Sequence, residues 1–338
     1  MMGNGTIQAT STHRLEGMEP DNLLAFLALL GLLRALEAVE VDGDRLRPRL
    51  SWSLDNPPLR PVLHLAKSAT KGEVAARAAD GMTLLAKAHH FDGRKDLNCS
   101  EGEARALLKS ATDDADHAFL LSALLSDAAV KEAKGATGEP QIDPTPLCLL
   151  FGQGHQHFLD RLASVPAQPA PPPRGRGRSA VSLTAEDCLA EALFTPWHRN
   201  DPTFSFRWDP EEDVRYALMA GNPTDAAYKA GTQHGANRLA AIGLAVLTLA
   251  PEVRAGRVRA AIPGGQWDRQ GFSLAWPVWR PPASIAAIRN LLGHPDLRKP
   301  EQFAVMGIDG CMMARRISVG KFMNFTRANF ITGKDASE

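Results

Sequence analysis

One run of hydrophobic positions dominates the start of the chain. From Leu23 to Leu36 almost every residue is apolar, so a helix over this run would be apolar on every face. Such a helix must be buried, either by its own domain or by a partner subunit. The turn before it ends in Asp21, which predicts a helix N-cap there. Gly31 inside the run indicates close packing against a neighbour.

Shorter segments rich in strand-forming residues flank this helix and predict a β-α-β unit. Residues 10–15 come before it, and residues 49–54 and 59–65 follow it on either side of an Asp-Asn-Pro-Pro turn. Three stretches of helix-compatible composition come next and form a long helical middle. They are residues 72–90, a helix starting at the capping box Ser100 to Glu103, and residues 112–132.

The last third of the chain reads mainly as strands. A helix is predicted over residues 232–249 and a shorter one over residues 285–292, capped by Ser284. The predicted strands are residues 258–262, 272–279 and 303–308, followed by a strand or hairpin over residues 311–325. Together these elements predict a mixed α+β fold with a β-α-β N-terminal unit, a helical middle and a β-rich, basic C-terminal part.

A segment rich in proline, glycine and arginine lies near the middle of the chain, at residues 166–182. Proline extends such a segment and glycine loosens it, so it predicts a linker or a long exposed loop. We therefore expect an N-terminal domain over residues 1–165 and a C-terminal domain over residues 183–338. Thr184, three residues before Asp187, predicts a new helix start just after the segment.

Charge is balanced over the chain but is distributed unevenly. The 338 residues contain 38 Lys+Arg and 38 Asp+Glu, which argues against a free-standing basic nucleic-acid binder. Residues 101–150 nevertheless carry a net charge of −5, and residues 251–338 carry +6. There are 27 Arg against 11 Lys, which suits bidentate contacts to phosphate but also fits the composition of a GC-rich genome.

Motifs for cofactors and for catalysis are missing from the sequence. It has no Walker A loop, no dinucleotide fingerprint, no Gly-x-Ser-x-Gly elbow and no Cys-x-x-Cys pair, so we expect no cofactor. The first residues do not resemble a signal peptide, and the longest apolar run is too short for a bilayer. These features predict a cytoplasmic protein that does not contact a membrane.

Two groups of residues are candidates for binding nucleic acid. The Arg-Gly-Arg-Gly-Arg run resembles segments that contact nucleic-acid backbones, although a solvated linker explains it equally well. In the C-terminal third, arginines fall among Trp267, Trp276 and other aromatic residues, a pattern that suits unpaired bases; Trp276 is also expected in the core. The candidate residues are Arg174, Arg176, Arg178, Asn237, Arg238, Arg269, Arg315, Arg316 and Lys321. For Asn237 and Arg238 a structural role within the fold is the favoured interpretation.

Three stretches together resemble a known protein family. They are residues 15–36 (LEGMEPDNLLAFLALLGLLRAL), residues 146–159, which begin PLC and end HQHFL, and residues 208–240, which begin WDP and end HGANRLA. The combination resembles CRISPR-associated proteins of the type I-G (formerly I-U) systems, in particular the large-subunit-like component of the Cascade effector complex.

The resemblance implies a non-catalytic role in antiviral defence. A Cascade large subunit recognises the protospacer-adjacent motif on duplex DNA, stabilises the R-loop and helps to recruit the helicase-nuclease. The implied partners are guide RNA, target DNA, the other Cascade subunits and that helicase-nuclease. The chain is short for a large subunit, so a separate small subunit would supply the missing helical bundle.

Two other functions stay open at the level of sequence. The β-α-β start also fits a guide-handle-binding or RNA-processing CRISPR subunit of ferredoxin-like fold, with His13 or His155 as a general base. His89, His90 and Asp92 suggest a metal-dependent hydrolase. Adjacent histidines on a helix point about 100° apart, however, so both cannot easily bind one ion.

Overall fold

The computed structural model describes residues 10–40, 43–131, 139–151, 157–174, 178, 180–212, 231–254, 256–319 and 322–333. The helices in these ranges are α1 (Leu23–Ala38), α2 (Lys71–Leu85), α3 (Glu101–Ser110), α4 (Ala115–Leu124), α5 (Phe158–Ala167), α6 (Ala185–Phe194), α7 (His234–Gly243), α8 (Ile285–Leu292) and α9 (Phe303–Met306). The strands are β1 (Ser11–Arg14), β2 (Arg49–Trp52), β3 (Pro61–Leu65), β4 (Ala250–Arg254), β5 (Arg257–Ala261), β6 (Gly265–Asp268), β7 (Gly271–Val278), β8 (Gly310–Val319), β9 (Phe322–Phe325) and β10 (Asn329–Thr332).

These elements confirm the predicted α+β class. The N-terminal strands form an antiparallel sheet in the order β1-β3-β2, and the C-terminal strands form a second sheet in the order β10-β8-β7-β6, with β9 also paired to β8. The strands β4 and β5 pair only with each other within the described ranges. None of the described helices is long and apolar enough to cross a membrane.

The first helix begins one residue later than the sequence predicts. The side chain of Asn22, not that of Asp21, caps α1 by accepting a hydrogen bond from the backbone N–H of Ala25 at 3.3 Å. The carboxylate of Asp21 is instead 2.9 Å from the guanidinium of Arg327, which lies beyond β9. The predicted cap was therefore wrong because a distant arginine binds the aspartate.

Helix α1 is buried by its own chain. All of its residues are buried except Arg34, Glu37 and Ala38. It crosses α7 at Gly31, where a Cβ atom would lie only 1.8 Å from the carbonyl oxygen of Leu239. The close packing predicted for Gly31 is thus confirmed, and within this chain α7 supplies the surface that the apolar helix needs.

The predicted linker is only partly an exposed loop. Helix α5 continues through Pro166 to Ala167, and the carbonyl oxygens of Pro166 and Pro169 accept hydrogen bonds from Arg238 of α7. The division of the chain at residues 166–182 stays a prediction. The contact between α1 and α7 means that any such units share one core.

The second sheet packs against α1 through its central strand. Trp276 of β7 is fully buried and stacks on Phe26 of α1, with the ring centroids 5.2 Å apart. Its indole N–H also donates to the carbonyl oxygen of Pro20 at 3.1 Å. The expected core position of Trp276 is therefore confirmed, and the strands that carry the arginines are fixed to the rest of the molecule.

Two predicted elements differ in the structure. The strand predicted over residues 303–308 is wrong: residues 303–306 form the short helix α9, because Pro300 starts a helical turn before it and Gly307, with φ of +69°, ends it. The helix predicted over residues 112–132 is only α4, because the chain becomes extended at Leu125.

Candidate nucleic-acid interface

Two of the candidate residues are buried inside the molecule. Arg238 is 1% exposed and donates to the carbonyl oxygens of Pro166 and Pro169 at 3.2 and 2.9 Å, and burial lowers the pKa of its guanidinium to about 10. Asn237 is 2% exposed and donates to the carbonyl oxygen of Gln233. Neither side chain is accessible to a nucleic acid, which supports the structural interpretation favoured by the sequence.

Arg174, the first arginine of the Arg-Gly-Arg-Gly-Arg run, is held by two acidic residues. Its guanidinium makes a bidentate contact with Glu191 at 2.8 and 3.0 Å, and it also lies 2.8 Å from Asp201, which is 1% exposed. The hydrogen bonds that Arg174 donates to Glu191 raise the pKa of its guanidinium above the ordinary value. Arg178 is exposed, and Arg176 lies outside the described residues. Arg174 therefore stabilises the fold, and of the two described arginines of the run Arg178 is the accessible one.

The neighbouring arginines Arg315 and Arg316 point to opposite faces of β8 and have different environments. Arg316 donates to the carbonyl oxygen of Pro146 at 3.0 Å, and burial lowers its pKa. Arg315 is 32% exposed and pairs with Asp268 at 2.9 Å, and its hydrogen bond is the main reason that the pKa of Asp268 is lowered. Both side chains are half-buried, and the candidate Lys321 lies outside the described residues.

A two-stranded ribbon brings further arginines to the same region. In this ribbon, formed by β4 and β5, Glu252 lies opposite Arg259 and Arg254 lies opposite Arg257. Because directly opposed residues of an antiparallel pair project to the same side, these four side chains share one face. The opposite face carries Pro251, Val253, Val258 and Ala260.

The base of the ribbon is anchored by Trp267 of β6. The indole N–H of Trp267 donates to the carbonyl oxygen of Ala260 at 2.9 Å, and the guanidinium of Arg259 lies over its ring at 5.1 Å. Arg316 lies 5.0 Å from the same ring. Asp143 accepts a hydrogen bond from the backbone N–H of Ala260 at 2.9 Å. The tryptophan that the sequence suggested as a stacking surface for bases thus positions two arginines.

The arginine face is the surface formed around Trp267 and Asp268 by five arginines: Arg254, Arg257, Arg259, Arg269 and Arg315. Glu252 and Asp268 are its carboxylates, so the face carries an excess of three positive charges. Arg254 acts on Asp268 through its charge and helps to lower the pKa of that carboxyl. Within the described ranges no carboxylate lies at ion-pair distance from the exposed guanidinium groups of Arg254, Arg257 or Arg269.

Three members of this face were not among the candidates selected from the sequence. Arg254, Arg257 and Arg259 belonged only to the wider set of C-terminal arginines that fall among aromatic residues, and β4 was not predicted. The available signal was Gly256, which has φ of +74° and occupies the tight turn between two short strand-forming segments. A hairpin predicted from that turn would have placed Arg254 opposite Arg257.

His89 and His90, which the sequence suggested as metal ligands, make structural contacts instead. Both ring nitrogens of His89 face backbone carbonyl oxygens, those of Leu85 at 3.2 Å and Ala241 at 3.4 Å, and burial lowers the pKa of His89 to about 4. The ring of His90 instead stacks on His117, with centroids 4.1 Å apart. Across the described residues no group of three or more His, Cys, Asp or Glu side chains could hold a metal ion. His155 lies outside them.

Comparison with known proteins does not identify the chain. A scan against protein-family models finds no match, and a search of curated proteins finds none either. The arginine face and the resemblance seen in the sequence are therefore the features that bear on function.

Proposed function

We propose that this chain is a non-catalytic, DNA-contacting subunit of an RNA-guided Cascade effector complex of the type I-G kind. In this proposal it recognises the protospacer-adjacent motif, stabilises the R-loop and helps to recruit the helicase-nuclease. The observation that carries the proposal is the arginine face. Its exposed guanidinium groups are spread over a ribbon, a turn and a sheet strand, an arrangement that suits an extended polyanion better than one small ligand.

The charge of the whole chain fits a subunit better than a protein acting alone. With equal numbers of basic and acidic residues, the free chain has no net attraction for DNA. In an RNA-guided complex the guide supplies sequence specificity by base pairing, and the protein supplies local contacts to the duplex and its backbone. A single basic face of this size is sufficient for these contacts when neighbouring subunits supply positive charge along the rest of the bound DNA.

Co-expression of the chain with its neighbouring genes tests the assembly. We expect it to co-purify with guide RNA and with the other subunits, and we expect complexes that lack it to lose binding to target DNA. If the chain purifies alone from the full co-expression, and its removal leaves target binding intact, the proposal is wrong.

Substitutions on the arginine face test the interface within the purified complex. Arg269→Gln and Arg315→Gln should each weaken binding to target duplex, and each should reduce the slope of log K against log salt by about 0.9 for every lost phosphate contact. Arg105→Gln is the matched control, because this exposed arginine is not part of the arginine face and already pairs with the carboxylates of Glu101 and Asp127. Equal effects at all three positions would show that only overall charge matters.

A guide-handle-binding or RNA-processing subunit is a second candidate, favoured by one observation. The first five elements follow the order β-α-β-β-α, α1 and α2 pack against each other, and the sheet order is β1-β3-β2. This is the beginning of the β-α-β-β-α-β arrangement of ferredoxin-like domains. Tight binding or cleavage of repeat RNA by the isolated chain would favour this candidate over the first.

A further inference from the structure

The tip of the ribbon formed by β4 and β5 is exposed on both faces. Val253, on one face, is 73% exposed, and Arg254 and Arg257, on the other face, are exposed as well. Among the described residues, the hydrogen bonds that anchor the ribbon to the rest of the chain lie at its base, at Ala260 and at the backbone N–H of Leu249, which donates to the carbonyl oxygen of Ser122. An isolated two-stranded ribbon is only marginally stable in water. A tip that is exposed on both faces therefore indicates a segment that binds another molecule.

The dimensions of the ribbon match one feature of nucleic acids. Two paired strands lie about 4.8 Å apart, and their side chains bring the ribbon close to the width of the major groove of B-form DNA, which is about 12 Å. The minor groove of undistorted B-form DNA, at about 6 Å, is too narrow to admit it. The major groove of an RNA helix is deep and narrow and also excludes it. Duplex DNA is therefore the ligand whose shape fits.

The chemistry of the tip agrees with its shape. Arg254 and Arg257 are directly opposed across the last pair before the turn, so their guanidinium groups leave the ribbon side by side and from the same face. A guanidinium donates two parallel hydrogen bonds to N7 and O6 of guanine, the most common specific contact in the major groove. Gly256 keeps the turn compact, so at this position no bulky side chain prevents the two arginines from reaching the floor of a groove.

We propose that the ribbon formed by β4 and β5 enters the major groove of B-form DNA and that Arg254 and Arg257 donate hydrogen bonds to guanine edges there. The proposal rests on the proposed function in one respect, namely that the ligand is duplex DNA. It adds which element reads the duplex, which groove it reads and which base it selects.

Modified duplexes test the groove assignment with the full chain or the complex that contains it. A 30-base-pair duplex selected from a random pool is compared with the same duplex carrying glucosylated hydroxymethylcytosine, which fills the major groove. We expect glucosylation to weaken binding at least tenfold, and we expect netropsin, which occupies the minor groove, to leave binding unchanged. If glucosylated duplex binds as well as plain duplex, or if netropsin displaces the protein, the proposal is overturned.

Guanine analogues test the two arginines. Replacing guanine with 7-deazaguanine removes the N7 acceptor, and it should weaken binding of the wild-type chain roughly tenfold for each contacted guanine. In the double variant Arg254→Gln/Arg257→Gln the analogue should have no further effect. Val253→Thr, a change on the opposite face that keeps a β-branched side chain, is the matched control and should bind like the wild type. Thermal unfolding followed by circular dichroism verifies that each variant is folded.

The outcomes separate this inference from the proposed function. Duplex binding that survives the double variant and ignores 7-deazaguanine overturns the role of the ribbon and leaves a DNA-binding subunit intact. A double variant that still binds duplex DNA but no longer co-purifies with the other subunits shows that the ribbon contacts protein, which also overturns the inference. Failure of the assembled complex to bind any DNA rejects both proposals.

Discussion

Gly31 of α1 and Gly243 of α7 each lie against the backbone of the other helix. A Cβ atom on Gly31 would be 1.8 Å from the carbonyl oxygen of Leu239, and one on Gly243 would be 2.1 Å from the carbonyl oxygen of Leu27. The two helices therefore approach so closely that neither glycine has room for a methyl group. This contact joins the N-terminal and C-terminal parts of the chain and fixes the position of the strands that follow α7.

Substitution of Gly31 by alanine should destabilise the protein. The added methyl group would push α1 and α7 apart, and overpacking of this kind costs about 1–3 kcal/mol. The measurement is the free energy of unfolding in urea, followed by circular dichroism. Gly102→Ala is the control: Gly102 also lies in a helix, α3, but a Cβ there would have no neighbour within 4 Å. Alanine at that site should raise stability by about 0.5–1 kcal/mol. A Gly31→Ala variant as stable as the wild type would refute the close contact.

Removal of Arg174 should affect folding and not binding of nucleic acid. Without its guanidinium, the buried carboxylate of Asp201 loses its cationic partner, and breaking such a pair costs about 3 kcal/mol. We expect Arg174→Ala to lower the free energy of unfolding by about that amount and to leave the DNA affinity of the folded protein unchanged. Arg178→Ala, at an exposed position nearby, should change stability by less than about 0.5 kcal/mol. A loss of DNA affinity at full stability would instead assign Arg174 to the interface.

The stability of the protein should fall in mild acid because His234 is buried in its neutral form. Its Nε2–H donates to the carbonyl oxygen of Gln168 at 2.8 Å, its Nδ1 faces the hydroxyl of Thr203, and burial lowers its pKa to about 4. The unfolded chain binds a proton near pH 6.5, whereas the folded chain does so only near pH 4. Stability is therefore complete above about pH 6.5 and is lost as the pH falls toward 4, by up to about 1.4 kcal/mol per pH unit.

Two measurements check this pH dependence. The ring-proton NMR signal of His234 should show no titration until the pH approaches 4, and a midpoint near 6.5 would contradict the buried neutral ring. In His234→Gln the slope of unfolding free energy against pH should decrease between pH 4.5 and 6.5. His89, whose pKa burial also lowers to about 4, should maintain a second contribution of the same sign in that variant.

Trp267 should control the rigidity of the ribbon. Its indole anchors Ala260 by a hydrogen bond and carries Arg259 over its ring, contacts worth about 1 kcal/mol each. We expect the backbone amides of β5 to exchange with deuterium at least tenfold faster in Trp267→Ala than in the wild type. Trp267→Phe keeps a ring under the guanidinium but loses the N–H, so its exchange should be intermediate. Unchanged exchange in Trp267→Ala would show that the other contacts anchor the ribbon alone.

The elements that the sequence predicted well depend on local signals. Helix starts at Ser100, Thr184 and Ser284 were predicted correctly, because an N-cap side chain and the backbone N–H that it binds lie only three residues apart. Asp21 is the exception, and its partner Arg327 is distant in the sequence. Local patterns therefore predict most helix starts, and at Asp21 a long-range ion pair overrides the local pattern.

The candidate interface was harder to predict for the same reason. Arg174, Arg238 and Arg316 have the same side chain as the exposed arginines, and only the folded chain shows that carboxylates and backbone carbonyls far along the sequence bind them. The ribbon was missed because Pro251 and Glu252 weaken the strand pattern of β4. The segregation of basic charge toward the C-terminal third was nevertheless the correct guide to the region where exposed arginines gather.

The crossing of α1 and α7 has a consequence for synthesis on the ribosome. Helix α1 ends at Ala38 and α7 ends at Gly243, so about 200 residues must be added before the apolar surface of α1 can be covered by its main partner. At about 5–20 residues per second, roughly 10–40 s pass between the two events. During that time the nascent chain displays the most hydrophobic helix of the protein, and this helix is the natural target for a chaperone acting at the ribosome.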